Sequence, residues 1–566
     1  MKYLFNNKSV FVSMMMMIIL GTSCKKDFLA SDFSVSSSYT QATVFSTWAE
    51  AEKVLGNAYY HLGYFSAFNM RTSTAPYRGG GTSYLAAYCD EATNSFIWTG
   101  SWNVTNGTFN QYYNPDDCWS ICYQAIRRCN MFLENIDKVT DIDAATILKA
   151  KMEARGLRAF FYFELFKRYG GVPLVKNVMS TSGVLTGNLD EYNLPRTTSA
   201  ETFKYIKDEL DTVTNLAPVP TPTATATVGR MNRAVSAALR GRLLLYYASP
   251  LHNPTKDNAR WQDAAVATKQ ALDTALKYGS VLATNYQTLF TTASRTATEI
   301  IFFVFQNCGC SLNTYENMPQ LNYGGTNPTL NHIDKYEMIN GKPISDPTSG
   351  YSTADPYLNR DPRLGLSVVK PGETFINTVY SPWWGPGGFD SRSTWSRKQS
   401  DGSWTGMVIK KFIDPANGSN RNWPLIRLAE LYLNYAEALT EANTTTQAAA
   451  FAAVNTVRAR TGVAMPAIPA TISRDSLITR IRNERAVELA FEEHRNFDAR
   501  RWRTAAKDFS GDTWGFRVLI DPATKTLSYP RYVFQVRKYL PHWDLYPIPQ
   551  SEIDKSKGVL VQNPGY

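Results

Sequence analysis

Three glutamates four residues apart, Glu484, Glu488 and Glu492, stand among Arg485, Arg495 and Asp498. Hydrolysis of a glycosidic bond needs two carboxylates flanking it, about 5–10 Å apart. A spacing of four puts the three glutamates on one helix face. Interleaved with arginines, the same spacing describes an ion-pair network that fixes helix packing, and we read it as that. Glu430 and Glu437, seven apart on an otherwise apolar stretch, are read likewise as buried and paired. Other reaction centres lack their motifs. No Gly-x-Ser-x-Gly elbow presents a nucleophilic serine. Glu492-Glu493-His494 lacks the second histidine of a His-Glu-x-x-His zinc helix. No Gly-x-x-x-x-Gly-Lys phosphate loop occurs, and Gly385-Pro-Gly-Gly388 reads as a turn rather than a dinucleotide fingerprint. The residues make no positive case for an enzyme, and no cofactor is expected.

Metal and thiol chemistry fare no better. The seven cysteines are Cys24, Cys89, Cys118, Cys122, Cys129, Cys308 and Cys310. No Cys-x-x-Cys pair occurs, and none of the five histidines is spaced as a ligand with them, so no metal site is expected. Cys118, Cys122 and Cys129 share one helical face and are read as small apolar packing. Cys308-Gly-Cys310 is too short a spacing for an easy mutual disulfide.

Binding is better served. An apolar sugar face stacks on a flat aromatic ring, while its hydroxyls need planar polar partners. Aromatics reach 13% of the chain, more than a core requires. Between two helical stretches, residues 59–113 offer Arg71, Arg78, Tyr84, Asp90, Asn94, Trp98, Trp102 and Asn103. Trp98 and Trp102 also read as loop-packing residues, and Asp90-Glu91 as a turn brace. A second group, Tyr315, Asn317 and Tyr323, follows an apolar strand. A third is Tyr380-Ser-Pro-Trp383-Trp384 in a Gly/Pro loop, where adjacent tryptophans are hard to bury together.

The elements that must position these groups are mostly helical. Periodicity predicts helices over 49–62, 117–136, 144–169, 200–216, 232–248, 261–278, 424–441, 447–461 and 474–504. The third stops at Gly170-Gly171, with Pro173 beyond. Ile300 to Phe305 reads as a buried strand, and residues 350–400 as turns and loops. Paired helices near a 34-residue period suggest antiparallel hairpins in a solenoid, although the Trp-x-x-Leu-Gly signature is absent. The 566 residues are 44% hydrophobic and only 19% charged, which argues against wholesale disorder. A formal charge of +10 without any run of five Lys/Arg leaves no nucleic-acid footprint.

At the start, Lys2 and Lys8 precede an eleven-residue apolar run, Val10 to Leu20, too short to span a bilayer but right for a secretory signal. Gly21-Thr-Ser then leads into Cys24, a bacterial lipobox pattern in which the cysteine is acylated. This predicts a signal peptide over 1–23 and a tether over 24–39. A helical region over 40–281 follows, then a second region over 282–566, loop-rich to 423 and helical after it.

Several segments together resemble the SusD/RagB family. They are Ser23-Cys-Lys-Lys-Asp-Phe-Leu29, the helix and exit turn Gly156 to Leu174, Arg233 to Pro254, and Arg427 to Ala438. To these are added Ile481 to Asp498 with Arg501-Trp502, and the ends Leu545-Tyr-Pro-Ile-Pro549 and Gln562-Asn-Pro-Gly-Tyr566. The resemblance implies an all-α fold: a tetratricopeptide-like scaffold of helical hairpins with an irregular, loop-rich ligand-binding subdomain. It implies a surface-exposed outer-membrane lipoprotein without nucleic-acid partners. Such a protein captures oligosaccharides and serves as the lid of a SusC-type TonB-dependent transporter. In the family, the stretches matching residues 59–113 and 308–323 both contribute to the ligand face. A peptide-binding lid of the RagB kind is the alternative, and a secreted glycosidase the rival from another class.

Overall fold

The computed structural model describes residues 41–66, 85–97, 99–179, 193–217, 229–307, 325–384, 388, 402–414, 420–443 and 447–566. Eleven of its helices shape the scaffold and the site. They are α1 (Trp48–Tyr60), α2 (Gly100–Thr105), α3 (Trp119–Asn135), α4 (Ala144–Tyr169) and α5 (Ser199–Leu216). Next come α6 (Arg233–Ala248), α7 (Asn258–Lys277), α8 (Leu428–Glu441), α9 (Ala448–Arg458), α10 (Arg474–Glu488) and α11 (Arg495–Arg501).

Local chemistry explains where the main helices begin and end. Asp143 opens α4 by accepting from the Thr146 amide at 2.7 Å. Thr198 and Glu201 form a reciprocal capping box on α5. Asn232 and Asp257 cap α6 and α7. α4 stops at Gly170, whose φ of 74° lies in the region glycine favours. Its stripe of Leu157, Phe160, Phe161, Leu165 and Phe166 is fully buried, as the periodicity predicts.

Neighbours in sequence are neighbours in space. α3 packs on α4, α4 on α5, α5 on α6, α6 on α7 and α7 on α8, while α8 also meets α9 and α10. This succession of antiparallel hairpins is the tetratricopeptide-like scaffold. The largest core cluster runs from Phe45 to Leu560 and draws side chains from both sides of the 281/282 boundary. Cys118, Cys122 and Cys129 are buried as free thiols, on the packed face expected of them.

Six strands shape the site and its supports: β1 (Ala92–Asn94), β2 (Ile300–Asn307), β3 (Thr326–Pro328), β4 (Asn420–Arg427), β5 (Gly511–Phe516) and β6 (Arg531–Arg537). The expected strand at Ile300 is β2, and it pairs antiparallel with β4. Residues 424–427 therefore belong to a strand and not to the helix expected from 424. The helix expected over 474–504 is also broken. Phe491 and Glu493 adopt φ of 63° and 67°, and the bend lets Glu492 reach Arg427 and Lys411. After α11 the chain is mainly strands and turns, contrary to the helical reading of 424–566. β5 and β6 form an antiparallel pair with one irregularity at Val533/Gln535.

The acidic cluster is a buried ion-pair web. Glu484 meets Arg363 and Arg458, and Glu488 meets Arg363, Arg427 and Arg460. Glu492 meets Lys411 and Arg427. Glu430 pairs with Arg242, and Glu437 with Arg501. Among the described residues no helix is long and apolar enough to cross a membrane.

Candidate functional site

Two tryptophans hang from consecutive carbonyls at the end of β1. Trp102, on α2, donates its indole N–H to the Asn94 carbonyl at 2.7 Å. Trp404 donates its own to the Ser95 carbonyl at 2.9 Å. The rings meet at 5.3 Å and 59°. β1 itself is anchored by β3, with Asn94 opposite Thr326. From β3, the Asn327 side chain accepts the Trp404 backbone N–H at 3.0 Å.

From Trp404 the aromatic row continues along β6. Phe534 stacks on Trp404 at 6.5 Å and 27°. Tyr532, two residues earlier on the same strand face, lies 6.4 Å from Phe534. Its hydroxyl donates to the Trp404 carbonyl. Trp384 meets Tyr532 edge-on at 6.0 Å and 75°. The Arg517 guanidinium caps the row, 3.9 Å from the centre of the Trp384 ring. Trp404, Phe534, Tyr532 and Trp384 are all half-buried, so each keeps part of its ring surface in solvent.

The loop carrying Trp404 lies flat on the β5–β6 hairpin because Gly515 has no side chain. A Cβ there would sit 2.7 Å from Thr405 Cα and 2.9 Å from the Trp404 carbonyl oxygen. The Phe516 amide donates to the Thr405 carbonyl at 3.0 Å and fixes that approach. At the other side of β6, the Gln535 carboxamide donates to Thr105 Oγ1 and Asn106 Oδ1, both at 2.9 Å. The hairpin is thereby tied to α2.

The start of β1 is braced by buried charges. Asp90 receives Arg495 at 2.8 and 2.9 Å and Lys335 at 3.3 Å. Burial alone would raise its pKa, but the Arg495 and Lys335 charges hold the carboxyl well below the usual range. The neighbouring Glu91 goes the other way. Burial first, and the Asp90 charge second, push it up to about 8. Arg537 donates to the Cys89 and Ala92 carbonyls at 2.5 and 2.9 Å, and burial pulls its pKa down to about 10.

Several of the residues expected to face a ligand are buried or held by neighbouring groups. Asp90 is 5% exposed with both oxygens accepting from Arg495, the brace that is its other reading. Asn94 is fully buried and accepts the Phe96 amide at 2.9 Å. Trp102 is 9% exposed and backs Trp404. Asn103 is half-buried and donates to the Tyr113 hydroxyl at 3.0 Å. Trp383 packs half-buried against the main core, and only Trp384 of that pair joins the row. Arg71, Arg78, Tyr84, Trp98, Tyr315, Asn317, Tyr323 and Cys24 lie outside the described residues. The sequence reading missed Trp404, Tyr532, Phe534 and Arg517. Its available signals were the two aromatics two residues apart, Tyr532 and Phe534, in the β-prone run 531–536 and a lone tryptophan between Gly402 and Gly406.

Chemically the row is a stacking surface. A half-exposed aromatic ring can take the C–H side of a cyclic ligand. Clefts of 610 and 400 Å³ lie on the helical scaffold and one of 690 Å³ between residues 340–346 and 466–480, and none of the three is lined by these rings.

Residues 287–566 match the family model described as the SusD family. Residues 67–245 match one described as starch-binding associating with outer membrane. A SusD-like protein of Bacteroides ovatus is 23% identical over 466 residues, spanning 78% of this chain and 76% of that protein. A solved SusD-like protein from Bacteroides fragilis NCTC 9343 is 25% identical. It has a TM-score of 0.72 and covers 95% of this chain and 99% of its own. A SusD-like carbohydrate-binding protein from the same strain gives a TM-score of 0.73 at 24% identity, over 92% of this chain and 99% of its own.

Proposed function

The chain belongs to the SusD/RagB family, and from that premise we propose that it binds oligosaccharides on the aromatic row. The bound chain lies along Trp404, Phe534, Tyr532 and Trp384, and the protein does no chemistry on it. The observation that carries this reading is the row itself: four half-exposed rings in sequence, each within 6.5 Å of the next, with Trp404, Tyr532 and Trp384 held by hydrogen bonds. A matching family model named for starch binding supports the ligand class. The pairing of Glu484, Glu488 and Glu492 with buried cations supports binding over hydrolysis, since it leaves them no role beside a scissile bond.

The expected setting follows from the same membership. Acylated Cys24 anchors the protein to the outer membrane at the cell surface, and the bound glycan passes to a SusC-type TonB-dependent barrel that the protein covers as a lid. Binding at the row is tested by calorimetry of Trp404→Ala and Phe534→Ala against glycans selected on an array. Loss of one stacking ring removes about 1–3 kcal/mol, a roughly 10- to 100-fold weaker Kd. Thermal melts run alongside show whether the fold is kept. Wild-type affinity in both variants would remove the row from the binding site.

A further inference from the structure

We propose that the row selects an anionic saccharide, and that Arg517 is the residue that selects it. The inference rests on reading the row as a saccharide platform and adds the charge of its ligand.

Arg517 differs from the arginines of the buried ion-pair web. Arg363, Arg427, Arg458, Arg460, Arg495 and Arg501 each hold a carboxylate within 3.0 Å. Even Arg531, at the edge of β6, pairs with Asp334 at 2.5 Å. Arg517 is exposed, and among the described residues it makes no ion pair. Its charge is not idle, because the guanidinium lies 3.9 Å over the Trp384 ring. Two backbone bonds hold that stack in place. The Arg517 amide donates to the Pro530 carbonyl at 2.9 Å, and the Trp384 amide to the Val518 carbonyl at 2.9 Å.

Stacking covers one face of a guanidinium and leaves its in-plane N–H donors free. A planar fork held against an aromatic ring is pre-organised for a carboxylate or a sulfate, which it can grip with two parallel bonds. Here the fork sits at the end of the row, one ring beyond Tyr532. A sugar stacked near Tyr532 would bring a substituent on its rim to this position. A neutral hydroxyl gains one ordinary hydrogen bond there. A uronate carboxylate or a sulfate ester gains a charge-assisted pair of them.

The experiment uses the full-length chain extracted in detergent and two matched pairs of polysaccharides. One pair is a polyuronate and its methyl-esterified form, and the other a sulfated glucan and the unsulfated one. Affinity electrophoresis and calorimetry give the ratio of affinities within each pair. The expected result is that at least one charged form binds about tenfold more tightly than its neutral partner. That advantage weakens as salt is raised. Arg517→Gln abolishes it without changing the melt, and Arg517→Lys keeps part of it. The pair that responds tells carboxylate from sulfate.

Equal affinities within both pairs, or a preference that survives Arg517→Gln, would overturn the anionic assignment and leave the platform standing. If Trp404→Ala and Phe534→Ala leave binding of every form unchanged, the platform fails and the assignment falls with it. A lower melting temperature for Arg517→Gln, with the charge preference intact, would mean that the stack only pins the 381–384 loop.

Discussion

Glu91 is a buried carboxyl with a raised pKa, and that shift has a measurable signature. It accepts the Phe491 amide at 3.2 Å, and Asp90, Cys89, Arg495 and Lys411 act on it. Burial and the Asp90 charge raise it to about 8 from an ordinary 4.5. In the unfolded chain Glu91 therefore loses its proton near pH 4.5, while in the folded chain it keeps it to about pH 8. Over that window the folded state binds more protons, so its stability falls as pH rises. Glu91→Gln copies the neutral carboxyl and removes the titration. Urea unfolding at pH 5 and pH 8.5 is expected to show a smaller loss of stability in the variant than in the wild type. An identical loss would mean that Glu91 is ionised in the fold. Adjacent acids at 90 and 91 are visible in the sequence, where they suit a turn brace and a ligand contact alike. What chooses between the two is Arg495, 405 residues away, and no local pattern announces a partner at that distance.

Helices are legible because they are long and their caps are local. α4 has the bounds its periodicity predicts, since Asp143 starts it and Gly170 ends it. The hairpin that carries half of the aromatic row is not legible. β5 and β6 have six and seven residues, and short apolar alternations are ambiguous against a helical background. The break between α10 and α11 is hidden for another reason. Phe491 and Glu493 hold positive φ, which costs free energy locally and is offset by ion pairs made elsewhere. The hairpin makes its own prediction through Gly515. Gly515→Ala places a methyl 2.7 Å from Thr405 Cα, against backbone that cannot rotate away, so the loop bearing Trp404 must move off β5. Calorimetry is expected to show a loss of glycan affinity of about tenfold or more, with β5 and β6 still paired. Gly365→Ala, which meets nothing within 4 Å, is the control and is expected to bind as wild type. Wild-type binding by Gly515→Ala would show that the loop's seat on the hairpin does not matter to the row.

One web of buried charge joins the parts of the molecule that the helices alone would leave separate. Glu299 precedes β2, Arg427 ends β4, Glu488 ends α10, and Arg460 follows α9. Arg427 contacts Glu299 at 2.9 Å, Glu488 at 2.7 Å and Glu492 at 2.7 Å, and is 1% exposed. The web thus spans the β2–β4 pair, the bend at 489–494 and the last scaffold helices. The bend also supplies the Phe491 amide that Glu91 accepts, so the web reaches the residues that lead into β1. Burial would raise Glu488, but Arg460, Arg427 and Arg363 pull it down to about 2. Its folded value is depressed, so its contribution to stability is present above about pH 4.5 and is lost as pH falls through about 2. Arg427→Met fills a similar space and leaves three carboxylates facing each other with less compensation. Removing one partner of a buried pair costs about 3–5 kcal/mol, because the remaining charge stays buried. The variant is expected to unfold at lower urea by that amount at pH 7, and its acid unfolding should begin at higher pH than in the wild type. Glycan affinity should fall with it if the bend carries the loss to Glu91 and Asp90. A cost below about 1 kcal/mol, the range of an exposed ion pair, would mean that these charges are solvated in solution and that the hydrophobic core alone joins the two halves.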